Sequence, residues 1–246
     1  MSKALIAYQD RLAGARQRLK ERAQLRVLMG PEADPELLHA FLIQWAALSV
    51  QLQEPAEHFL VEASRRCAGL GEHGLSLRLL QIASEAIERY RLLADDTRTL
   101  AQLWNGRRLP PLDLTYLLTQ PQTPSMKRLH AGYEALVNGP EPWALLAARY
   151  EAEAMLGSIA AQVTAQAERL LGADVRPCLR SVEALANFTE RGSLDKTMVA
   201  FLEASPARVE RMSEVGERTL QIYADFLVEC CVAATNLSTW RDREHG

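Results

Sequence analysis

Helical periodicity runs through nearly all of this 246-residue chain and predicts an all-α fold. Two observations lead there. Apolar residues recur at three- and four-residue spacing in segment after segment. No segment shows sustained period-two alternation with β-branched residues, and no internal repeat of fixed length is visible. Pro and Gly fall between the periodic segments, where helices start and stop.

Residues 3–29 read as one amphipathic helix, with Leu5, Leu12, Leu19 and the Leu25 to Leu28 end on its apolar side and Arg and Lys elsewhere. Gly30-Pro31 ends it. Asp34 offers an N-cap with Pro35 at the first helical position, followed by a stripe of Leu38, Phe41, Leu42, Trp45, Leu48 and Leu52. Pro55 restarts the chain as a helix through Cys67 with Phe59, Leu60 and Ala63 inward, and GLGEHG breaks it. A long helix follows over 75–104. NGRRLPP and TQPQTP, with a short helical piece at 112–118 between them, form the one extended connection, a hinge between halves. Helices are then expected over 126–137, closed by Asn138-Gly139, and over 143–171, ended by Gly172. The stretch 181–203 is helical with an interruption at Gly192, and Ser205-Pro206 caps a last helix over 207–237. The expectation is an up-and-down bundle of seven or eight helices, with residues 1–30 as an arm and 31–246 as one domain. Trp45, Ile87 and Phe201 are expected to be buried, and Arg16 and Arg18 exposed.

Composition narrows the function. A net charge of −3 leaves no electrostatic footprint for nucleic acid or an anionic membrane. No apolar run reaches transmembrane length, and charge interrupts every apolar run of the N-terminus, so no signal peptide is read. Cys67, Cys178, Cys230 and Cys231 form no C-x-x-C pair, which predicts neither a zinc site nor a disulfide framework and fits a cytoplasmic setting. No Ser–His–Asp set or Gly-rich phosphate loop is present. The histidines His39, His73, His130 and His245 are expected to be solvated. Glu54, His58 and Glu62 share one helical face at i, i+4 spacing, but they begin a helix, where Glu is favoured by the dipole.

Arg191, Asp195 and Met198 fall on one face of a helix, since steps of four and three return to nearly the same angle. Together with the segments PWALLAARYEAEAMLGSIAAQ, FTERGSLDKTMVAFLE and QIYADFLVE, this order of helices resembles the haem-oxygenase-like fold. Within it the chain is most similar to non-haem iron oxidases and oxygenases, relatives of thiaminase II, pyrroloquinoline-quinone synthase and terminal-alkene-forming fatty-acid decarboxylases. The resemblance runs from about Leu37 to Leu237 and makes residues 1–30 an extra N-terminal helix.

What the resemblance implies about a site is partly missing. A Glu-x-x-His motif falls on Glu85 and Glu88, a later Glu on Glu153, and a His-x-x-x-Asp-x-x-His motif on Arg191, Asp195 and Met198. A further early carboxylate has Glu54 or Glu62 as candidates. Met is a soft, poor ligand for oxygen-activating iron, and a guanidinium stays protonated and cannot coordinate. The expectation is therefore no metal and no cofactor, with Arg191 bonding Asp195 and Glu85 or Glu153 in place of the metal. His39 is the candidate axial ligand were haem bound.

Two functions follow. The first is a non-catalytic small-molecule binder or partner subunit of an active enzyme, with a homodimer as the default assembly. The alternative is an iron- or manganese-dependent oxidase of a small metabolite with Glu85, Glu88, Glu153 and Asp195 as its site.

Overall fold

The computed structural model describes residues 3–108, 111–186 and 191–239, excepting the side chains of residues 23, 185, 186, 191–193, 238 and 239. Eleven α-helices and no strand occur among these residues. They are α1 (Lys3–Lys20), α2 (Ala23–Met29), α3 (Pro35–Gln53), α4 (Ala56–Gly69), α5 (His73–Asn105), α6 (Leu114–Thr119), α7 (Pro124–Asn138), α8 (Leu145–Leu171), α9 (Arg180–Ala186), α10 (Arg191–Ala204) and α11 (Val209–Thr239). No described helix is long and apolar enough to cross a membrane.

The first departure from expectation is at residues 3–29, which form two helices. Leu5, Tyr8, Leu12, Ala15 and Leu19 are buried along α1. Continuing that spacing would drive Arg22 and Arg26 into the core, whereas the apolar residues come one position early, at Leu25 and Leu28. An extended Arg22, with φ −56° and ψ 125°, resets the phase without Gly or Pro. Both helices pack on α11 of the same chain.

Two helices form the centre. Every residue of α3 from Leu38 to Val50 is buried, so the predicted stripe covers the whole circumference. The same holds for residues 142–153, which open α8 through a 3₁₀ turn at Pro142–Ala144. α5 and α11 pack on α3, α11 and α9 pack on α8, and α4 closes on α5. Trp45 and Phe201 are buried as expected, but Ile87 is only partly so, because the buried stripe of α5 runs through its neighbours Ile82, Ala83, Ala86 and Arg89.

Boundaries follow local chemistry. Asp34 caps α3, accepting from Glu36 N at 2.7 Å and Leu37 N at 3.4 Å, and Gly172 ends α8 at φ +85°, where a side chain would be strained. Asn105 clasps Leu112 through both its N–H and its carbonyl, so the expected hinge is tied back on itself. Ser205 does not cap α11 with its side chain; a 3₁₀ turn at Pro206–Arg208 leads in instead. The stretch read as one helix interrupted at Gly192 gives two, α9 ending at Ala186 and α10 starting at Arg191, with Gly192 in the first turn of α10 and residues 187–190 outside the described residues.

Candidate functional site

The first half of α8 carries three charged side chains into an apolar centre. Arg149 and Glu153 lie one turn apart on one face, and Glu151 lies on the opposite side. Each side has to be neutralised locally, since an unpaired buried charge costs several kcal/mol.

On the first side, Glu153 Oε1 accepts from Arg149 Nη2 at 2.7 Å and from Arg89 Nη1, on α5, at 3.1 Å. Arg149 Nη1 also donates to Gln53 Oε1, on α3, at 3.1 Å. Tyr133 of α7 and Tyr223 of α11 are buried within electrostatic reach of Arg149. Burial raises the pKa of Glu153, but the charges of Arg149 and Arg89 and their hydrogen bonds more than offset it, so the group sits below its ordinary value. Burial also raises both phenols, so they stay neutral. Glu153 Oε2, Arg149 Nε and the Tyr133 hydroxyl are buried without a partner of hydrogen-bond geometry among the described residues.

On the other side, Glu151 has no exposed surface and accepts from Tyr8 OH at 2.9 Å and from Arg16 twice, Nε to Oε2 at 2.9 Å and Nη2 to Oε1 at 2.6 Å. Arg16, expected on the surface, is thus a forked partner for a core carboxylate and only 29% exposed. Tyr150 packs edge-on against Tyr8 and donates to Asp195 Oδ1 at 2.7 Å. Burial, then the hydrogen bond and charge of Asp195, raise the pKa of Tyr150 to about 12. Between α1, α8 and α11, beside Arg16 and Tyr150, an open cleft of about 230 Å³ remains.

The carboxylates matched by the resemblance have separate partners. Glu153 belongs to Arg149 and Arg89, Asp195 to Tyr150, and Glu85 faces Arg78 Nη1 at 3.5 Å. Glu88 is exposed on α5 and Met198 is fully buried. Glu54 is exposed, and Glu62 pairs with Arg65 on α4. Among the described residues no three His, Cys, Asp or Glu side chains are grouped to hold a metal. The Arg191 side chain lies outside the described residues. Among the described residues, the cations beside Glu153 and Glu85 are Arg149, Arg89 and Arg78.

This donor set does not fit iron, because the one deeply buried carboxylate of the matched set is already bonded to two guanidiniums that cannot leave their charge behind. It does not fit haem through His39 either. That residue is buried rather than solvated, with Nε2 donating to Leu100 O at 3.1 Å and Nδ1 accepting from Arg108 Nη1 at 3.1 Å, so both ring nitrogens are in use. His130, also expected to be solvated, bonds Leu52 O at 3.2 Å.

Sequence reasoning missed Arg149, Arg89, Gln53, Glu151 and Tyr8. The available signal was three charges within five residues of the otherwise apolar first half of α8.

No protein-family model matches the chain, and no curated protein matches it. Its structure is similar to the crystal structure of a domain of unknown function with a haem oxygenase-like fold from Shewanella denitrificans OS217, with a TM-score of 0.73 and 14% sequence identity. The match covers 96% of this chain and 95% of that one. That is more than residues 31–246 supply, so the likeness takes in part of the N-terminal arm as well. The fold is therefore haem-oxygenase-like.

Proposed function

We propose that this haem-oxygenase-like bundle works without a metal, as a small-molecule-binding or partner subunit rather than as an oxidase. The observation that carries the reading is the state of Glu153. This retained carboxylate spends one oxygen on Arg149 and Arg89, in a core closed by Gln53, Tyr133 and Tyr223. A ligand carboxylate must be free to face a cation, and two fixed guanidiniums at the same oxygen repel one. Glu85 and Asp195 are engaged elsewhere, so neither of these carboxylates offsets that repulsion.

Metal analysis tests this directly. Protein purified from cells grown with added iron and manganese should carry only trace metal, well below one ion per chain. Near-stoichiometric iron or manganese, retained through gel filtration, would overturn the proposal.

A further inference from the structure

We infer that the cleft between α1, α8 and α11 is a binding site for a small organic carboxylate with a short apolar body. The inference names a ligand class for the binder proposed above and rests on that reading.

The cleft encloses about 230 Å³, below the roughly 300–1,000 Å³ of drug-sized pockets, so it suits a ligand on the order of ten heavy atoms. Its charged lining among the described residues is Arg16 and Lys20, with no carboxylate there. These two cations lie one turn apart on α1 and so face the same way. Lys20 is exposed and makes no ion pair among the described residues.

Arg16 is held in place from behind. Glu151 takes its Nε and one Nη2 proton, which fixes the guanidinium plane, while Nη1 has no protein acceptor among the described residues. A guanidinium fixed in this way has already lost its rotamer freedom, so less is lost when it binds an anion. The walls decide the rest of the ligand. Leu19, Met155 and Leu220 are apolar, and Ala154 leaves room on α8 one turn after Tyr150. With the charge of Arg16 offset by Glu151, the Lys20 ammonium, the remaining guanidinium N–H groups of Arg16 and an apolar floor suit a monocarboxylate with a hydrocarbon body better than a doubly charged phosphate.

Calorimetric titration of the full chain with sodium benzoate and sodium hexanoate, and with benzamide and hexanamide as neutral controls, tests the site. At least one carboxylate should bind saturably at one per chain, with its amide at least about ten-fold weaker. Lys20→Ala should weaken binding several-fold, Ala154→Leu should abolish it by filling the cleft, and Arg26→Ala, a cation on α2 away from the cleft, should leave it unchanged. Circular dichroism confirms that each variant is folded. No saturable binding of either carboxylate, or binding that survives Ala154→Leu, overturns the inference. Metal content of the same preparation separates the two readings: iron together with anion binding sinks only the proposed function, and trace metal without anion binding sinks only this site.

Discussion

Removing one side chain tests the charge balance at the centre. Arg149→Ala leaves the Glu153 carboxylate with Arg89 alone and opens a cavity in a fully buried position, so the variant should lose about 3–5 kcal/mol of stability in urea denaturation. Adding Glu153→Gln removes the stranded charge and should recover a large part of that loss. If the second substitution recovers nothing, Arg149 acts by packing alone. The pair was half legible in the sequence. Glu153 is picked out there, but its expected partner is Arg191, much further along the chain, because the resemblance points there. The i−4 arginine on the same helix was the shorter path, and an i, i+4 pair inside an apolar run is a stronger local signal than a distant motif position.

At the scale of elements, α1 is held less by propensity than by a fitted contact. Gly216 on α11 lets Tyr8 approach so closely that an added Cβ would stand 2.8 Å from the Tyr8 hydroxyl and 3.1 Å from Glu151 Cγ. Gly216→Val should therefore push α1 outward, breaking the Tyr8 and Arg16 bonds to Glu151. Since each fully buried Leu of α1 contributes about 1.5–3 kcal/mol, partial undocking of this helix should show as faster proteolysis within residues 3–29 and a lower melting temperature. Unchanged cleavage would show that α11 or α1 accommodates the side chain by a small shift. Helix existence was legible almost throughout, from spacing and from caps such as Asp34-Pro35 and Gly172. Interruptions lacking Gly or Pro were not. The split at Arg22 is written only as a one-residue slip in apolar phase, and Ser205 has the right chemistry for a cap but leads into a 3₁₀ turn instead.

For the whole molecule, two buried groups on α3 and α5 set opposing pH dependences that should nearly cancel. Burial first, with the charges of Arg108 and Arg107 adding to it against the bond to Leu100 O, lowers the His39 pKa from 6.5 to about 4. Between those values the unfolded chain holds the extra proton, so this contribution to stability falls as pH drops. Asp96 runs the other way. It fastens the start of α9 from a distance, accepting from Arg180 N at 3.0 Å and from Ser181 N at 2.7 Å. Burial outweighs these bonds and that of the Ser181 hydroxyl, raising its pKa from 3.8 to about 6. Between those values the folded chain holds the extra proton, so this contribution rises as pH drops. Each shift is just over two units, about 3 kcal/mol at full extent, and their windows overlap across most of pH 4–6. The wild-type chain should then show a shallow stability profile between pH 6.5 and 5. His39→Gln should grow more stable, relative to its own value at pH 6.5, as pH falls through that range, and Asp96→Asn should grow less stable. Urea midpoints at half-unit pH steps read all three slopes, and parallel slopes for the two variants would show that neither group titrates as its burial requires.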